Sequence, residues 1–152
     1  MEEYEAYTDG SFQSSINAGG WSSVILKDGK LFKTLYFGNL NTSNNRMEIK
    51  GVLETLKFFK TPIFITIYSD SQYVVNSIEN RWVEHWFETK DYSKKNLDLW
   101  FELLDLLNFH KVKLVWVKGH ANNEFNNLAD ELAVHAAQCL NLPEDEIRAI
   151  NI

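Results

Sequence analysis

Cysteine is almost absent: Cys139 is the only one in 152 residues. An internal disulfide and a cysteine zinc site are thereby excluded, and the composition fits a reducing compartment. Proline is nearly as scarce, at two, and with 45% hydrophobic residues this excludes a disordered chain. No apolar run approaches the ~20 residues that cross a bilayer. The start, Met1-Glu2-Glu3-Tyr4-Glu5, is acidic and lacks the basic-then-apolar order of a signal peptide. The expectation is a cytoplasmic protein with no membrane partner. A basic excess is missing too: the formal charge is −6, which counts against general nucleic-acid affinity.

What is present reads as one α/β domain over residues 1–140 with a short acidic tail over 141–152. Glu3 to Asp9 alternates as a strand. Two apolar runs, Gly19 to Lys27 and Lys30 to Phe37, flank Asp28-Gly29, the strongest short hairpin signal because both turn residues need positive φ. The chain thus opens with three antiparallel strands. Thr42-Ser43-Asn44-Asn45 is a helix-capping cluster, followed by Ile49, Val52, Leu53, Leu56 and Phe59 at helical spacing up to Thr61-Pro62. Ile63 to Ser69 lacks in/out alternation and reads as a strand buried on both faces. A short helix from Ser71 to Ile78, an aromatic segment, a helical stripe through Leu97 to Leu107, a strand at Val112 to Val117 and a last helix through Phe125 to Leu140 complete the order.

Four acids stand out. Asp9 and Asp70 end strands, while Glu48 and Asp130 lie at sheet-facing margins of helices near their starts. Each has an ordinary reading: a turn aspartate for Asp9, a capping box from Asn45 to Glu48, a helix cap for Asp70, a macrodipole partner for Asp130. Together they can converge at one end of a mixed sheet. Four carboxylates there repel unless cations neutralise them. Mg²⁺, a hard ion preferring oxygen, is the economical partner. Two such ions ~3.5–4 Å apart would stabilise the attacking and leaving oxygens of a phosphodiester displacement.

Thr8-Asp9-Gly10-Ser11, Asn44-Asn45-Arg46-Met47-Glu48, Ser69-Asp70-Ser71-Gln72-Tyr73, Trp116-Val117-Lys118-Gly119-His120 and Leu128-Ala129-Asp130-Glu131-Leu132-Ala133 follow one another in the order found in type 1 ribonuclease H. From about Tyr4 to Ala137 the chain resembles that family, in its bacterial form. The resemblance implies a ribonuclease H-like fold, a five-stranded mixed sheet of three antiparallel and two parallel strands flanked by helices. It implies endonucleolytic hydrolysis of the RNA strand of RNA–DNA hybrids, leaving 5′-phosphate and 3′-hydroxyl ends. One Mg²⁺, with Mn²⁺ as a substitute, would be held by Asp9, Asp70 and Asp130; a second by Asp9, Glu48 and Asp70. His120 matches a loop histidine that assists proton transfer or product release. Asn44, Asn45 and Gln72 match contacts to the hybrid's minor groove, where amides read base edges and 2′-hydroxyls. Thr42 and Ser43 are phosphate-contact candidates at the helix start.

This chain departs from the family in places. The turn after the first motif, Phe12-Gln13-Ser14-Ser15-Ile16-Asn17, is not glycine- and proline-rich. Asn126-Asn127 stands where Asn-Glu is usual, and Ala121-Asn122-Asn123 lacks the loop glycine. The protrusion between Asn80 and Asn96, lysine- and arginine-rich in many relatives, is neutral once the adjoining Glu79 is counted: Arg81, Lys90, Lys94 and Lys95 offset Glu79, Glu84, Glu88 and Asp91. Trp82 is expected to face the DNA backbone and Trp86 to pack. Two divalent ions would take the charge from −6 to −2, which still implies salt-sensitive hybrid binding by a monomer. Two other readings stay open: a resolvase- or integrase-like nuclease acting on DNA, and a weak hybrid-binding module.

Overall fold

The first hairpin closes through two residues in the left-handed region, Asp28 (φ 52°) and Gly29 (φ 75°), as a two-residue turn matching strand twist requires. In the computed structural model, which describes residues 1–119 and 122–139, this turn joins β2 (Ala18–Lys27) to β3 (Lys30–Leu40). The first strand, β1 (Glu3–Gln13), runs past the expected Asp9 and pairs antiparallel with β2 from Glu5 to Gln13. Helix α1 (Asn44–Phe58) leads to β4 (Phe64–Ser69), then α2 (Gln72–Glu79), α3 (Trp82–Glu88), α4 (Leu97–Phe109), β5 (Lys111–Trp116) and α5 (Glu124–Gln138). The sheet order is β3-β2-β1-β4-β5, with β4 parallel to both β1 and β5. This is the expected mixed sheet of three antiparallel and two parallel strands. The expected tail over 141–152 lies outside the described residues.

Helices pack on both faces of the sheet. On one face α1 sits over β1 and β2, with α2 and α4 beside it. Ile49, Val52, Leu53 and Leu56 of α1 form the main core with Ile65, Ile67, Leu103, Leu114 and the fully buried Trp100. On the other face α5 lies over β1, β2 and β3. Adjacent serines of β2 show this division: Ser23 Oγ accepts from Thr55 of α1 at 2.6 Å, while Ser22 Oγ donates to the Ala129 carbonyl of α5 at 2.5 Å.

Three expectations change. The N-cap of α1 is Ser43, whose hydroxyl accepts from the Arg46 amide at 3.2 Å, so Asn45 is already helical and no capping box joins it to Glu48. Asp70 does not cap α2; Ser71 does, accepting from Val74 at 3.2 Å. Third, β4 alternates: Ile65, Ile67 and Ser69 are buried, whereas Phe64 is 43% exposed and Thr66 and Tyr68 are half-buried. The reason is that α5 covers β1 to β3 and leaves the back of β4 to a Tyr7–Tyr68 stack at 4.7 Å. A central strand is therefore not always covered on both sides.

At the opposite end of the sheet, buried His110 ties three elements together. Its Nδ1 accepts from the Ile63 amide at 3.2 Å. The proton therefore sits on Nε2, which donates to the Leu56 carbonyl at 3.0 Å. His110→Ala orphans both backbone groups, and the expected cost is about 2–4 kcal/mol. Urea unfolding should show a lower midpoint with kcat nearly unchanged.

Candidate active site

The parallel pairing of β1 with β4 ends at Tyr7↔Tyr68. Beyond it β1 continues with β2 alone and β4 stops, so a crevice opens at the carboxyl ends of the two strands. Open α/β sheets place their sites in such crevices. Asp9 and Asp70, each two residues past that last pair, flank it. Helix α1 delivers Glu48 from above: Glu48 Oε1 accepts the Gly10 amide at 2.6 Å. Gly10 has to be glycine, because a Cβ there would collide with the backbone of Met47 and Glu48. One carboxylate oxygen each from Asp9, Glu48 and Asp70 lies within 4.8 Å of the others.

Asp130 joins from the opposite face on α5. It is half-buried and close enough to Asp9 to help raise that carboxyl, and it is outside the group of three. Asp70 is fixed from the β5 side. The Trp116 indole Nε1–H donates to the Asp70 carbonyl at 3.2 Å, and Gly119 comes so close that a Cβ would lie 2.9 Å from Asp70 Oδ2. The motif from Trp116 to Gly119 was visible in sequence, but this clamp on Asp70 was not, since it depends on how two parallel strands end together. His120 lies outside the described residues.

The electrostatics follow from crowding. Burial, then the charge of Glu48, pushes the Asp9 carboxyl far above its ordinary value, with Asp70 and Asp130 adding to it. Burial raises Glu48 to about 7, aided by the Asp70 charge and opposed by hydrogen bonds from Asp9 and Gly10. Without a cation the cluster retains a proton at neutral pH. Glu48 Oε2 is buried with no donor in hydrogen-bonding geometry. An all-oxygen donor set with an orphaned oxygen fits a hard divalent ion.

Around the cluster, Asn44, Asn45 and Gln72 are exposed at the starts of α1 and α2. The Ser43 hydroxyl is engaged as the α1 cap, and the Thr42 hydroxyl is buried without a partner rather than turned to solvent. Trp82, 43% exposed, lines a groove of about 290 Å³ with Asn45, Tyr73, Trp86, Lys94, Lys95 and Asn96. Trp86 packs edge-on against Trp100 at 6.3 Å and carries Lys94 over its ring at 5.8 Å. The sequence reading missed Tyr73, Lys94, Lys95 and Asn96 as groove residues. The Lys94-Lys95 pair was the available signal, hidden by averaging the charge of the whole protrusion.

A family model described as RNase H matches residues 1–138. The chain belongs to the RNase H family. A ribonuclease H of Thermoanaerobacter is 43% identical over 138 residues, covering 88% of each chain. One from Caldicellulosiruptor saccharolyticus is 41% identical over 138 residues, covering 88% of this chain and 94% of its own. A crystal structure of LC9-RNase H1, described as a type 1 RNase H with the type 2 active-site motif, aligns with a TM-score of 0.81 at 28% identity. It covers 91% of this chain and 73% of that one. RNase H enzymes are metal-dependent, and the acidic group of Asp9, Glu48 and Asp70 agrees with membership. Among the described residues no helix is long and apolar enough to cross a membrane.

The raised carboxyls have a consequence for stability. A carboxyl whose native pKa exceeds its unfolded value favours the fold when protonated, so its contribution is full below the ordinary carboxylate range. That contribution is lost as pH rises through about 7 for Glu48, and at higher pH still for Asp9. Thermal denaturation in EDTA should therefore show Tm falling from about pH 5 to about 8, with Mg²⁺ narrowing the loss. Asp9→Asn should raise the metal-free stability at the upper pH by about 1–3 kcal/mol.

Proposed function

We infer that this chain hydrolyses the RNA strand of RNA–DNA hybrids, leaving 5′-phosphate and 3′-hydroxyl ends. The observation that carries this is the convergence of Asp9, Glu48 and Asp70 within 4.8 Å at the crevice, in a chain of the RNase H family. Asp9, Glu48, Asp70 and Asp130 would hold the metal, with Mg²⁺ the resident ion and Mn²⁺ able to replace it. When bound, a pair of such ions supplies an activated water and charge stabilisation at the leaving oxygen.

The chain's own residues position the reaction. Gly10 and Trp116 fix the orientations of Glu48 and Asp70. Asn44, Asn45 and Gln72 present amides able to donate to and accept from minor-groove edges and 2′-hydroxyls, the mark of RNA. His120, the residue after Gly119 in the sequence, would carry a proton to or from the reacting phosphate oxygens. Ser43 approaches the phosphates at the start of α1 through the proton its capping role leaves free, while the buried Thr42 hydroxyl does not face them. Trp82, with Lys94 and Lys95, receives the DNA strand along the groove, aromatic faces and ammonium groups suiting a sugar–phosphate backbone. The protein works as a monomer in the cytoplasm, with residues 1–140 as its catalytic domain. A hybrid-holding module is not favoured, since all four acids are present, and a resolvase- or integrase-like activity on DNA is not favoured, since Asn44, Asn45 and Gln72 are present beside them.

Asp70→Asn should lower kcat by roughly 10²–10³-fold or more while hybrid affinity stays near wild type; retained turnover would contradict the assignment. Because the protrusion is neutral overall, few contacts carry the salt dependence. Lys94→Ala should weaken hybrid binding and reduce the slope of log K against log salt by about 1, measured by fluorescence anisotropy.

A further inference from the structure

The fourth acid, Asp130, comes from a helix on the far face of the sheet, and its position depends on how α5 is seated. At its N-terminus α5 is held by Asn123 Nδ2, which donates to Tyr7 Oη at 3.2 Å, and by Phe125 against the Tyr7 ring at 6.1 Å. Near its end Gly20 lets the helix backbone lie directly on β2, since a Cβ there would strike the Ala133 carbonyl and the Ala137 amide. Between these anchors, among the described residues, one side-chain hydrogen bond reaches the helix from the sheet. Ser22 Oγ donates to the Ala129 carbonyl at 2.5 Å, with Ser22 fully buried. Ala129 directly precedes Asp130, and Ser22 is the β2 residue paired with Asp9.

We propose that Ser22 is a positioning residue for the metal site, setting the distance between Asp130 and Asp9 by anchoring the Ala129 carbonyl to the strand opposite Asp9. The Ala129 carbonyl already serves as an acceptor inside the helix, and its second lone pair takes the serine proton. The bond is therefore not needed to form α5. It fixes the rotation and height of the helix at the turn that carries Asp130. Asp130 lies beside Asp9 but outside the group of three, so a small slide of α5 over β2 would draw Asp130 away from Asp9 and leave Asp9, Glu48 and Asp70 unmoved. Ser22 touches neither metal nor substrate; its effect passes through Asp130, and the inference rests on the reading of Asp130 as a metal ligand.

Ser23 supplies the matched control. It is the next residue, equally buried, and its hydroxyl bonds Thr55 of α1 on the other face. Binding of Mn²⁺ to the full chain, followed by calorimetry and by electron paramagnetic resonance, reads the effect without turnover. Ser22→Ala should weaken Mn²⁺ binding by about tenfold, the lower end of the loss seen when a group supporting a ligand is removed. Ser23→Ala should lower Tm yet leave Mn²⁺ affinity unchanged. Ser22→Thr, which keeps the donor, should bind Mn²⁺ better than Ser22→Cys, and this pair carries the test if Ser22→Ala does not fold. In an Asp130→Asn background, Ser22→Ala should cause no further loss. Unchanged affinity in Ser22→Ala, an equal loss in Ser23→Ala, or an additive loss on top of Asp130→Asn overturns the role of Ser22. Unchanged affinity in Asp130→Asn alone overturns the reading of Asp130 itself.

Discussion

Like charges held together in a poorly solvated crevice are the constraint on which this structure depends. Asp9 and Glu48 are buried, Asp70 is half-buried, and their oxygens lie within 4.8 Å of one another. Neither desolvation nor mutual repulsion favours such an arrangement, and the raised carboxyls of Asp9 and Glu48 express both. The fold sustains it because each acid is tied into rigid structure: Asp9 inside a strand, Glu48 to the Gly10 amide, Asp70 through its carbonyl to Trp116. A divalent ion held there would relieve the repulsion, and the orphaned oxygen of Glu48 would be one of its ligands. The stress in the metal-free site is thus the counterpart of its capacity to bind.

The sheet topology makes this possible. The β1–β4 pairing ends at Tyr7 and Tyr68 while β1 carries on with β2, which opens a crevice without breaking the sheet. Helix α1 on one face and α5 on the other reach that opening by different routes, so the acids arrive from both sides. The rest of the core, centred on Trp100, Leu103 and the α1 stripe, holds the helices in place.

Much of this was legible in the sequence, for identifiable reasons. The Asp28-Gly29 turn announces itself because few residue pairs tolerate two positive φ angles. The helices follow from their apolar stripes, and the four acids from their places at element ends. Other features depended on tertiary relations that no local pattern encodes. The burial of β4 on one face reflects where α5 lies. The α1 cap moved to Ser43 because several residues in the run Thr42 to Asn45 can cap, and packing selects among them. The site's supporting bonds, from Trp116 to Asp70 and from Ser22 to Ala129, join residues 46 and 107 positions apart. The groove residues Lys94 and Lys95 were obscured when the charge of their segment was taken as a whole.

A formal charge of −6 gives the protein little general attraction for nucleic acid, and the proposed function assigns selectivity to the crevice and the amides beside it. The most direct measurement is cleavage of matched, labelled RNA–DNA hybrid, RNA duplex and DNA duplex by the full chain, with Mg²⁺, Mn²⁺ or EDTA. The account predicts cutting of the RNA strand of the hybrid alone, present with either metal and abolished by EDTA. Cleavage of the DNA duplex, or hybrid cleavage that persists in EDTA, would contradict it.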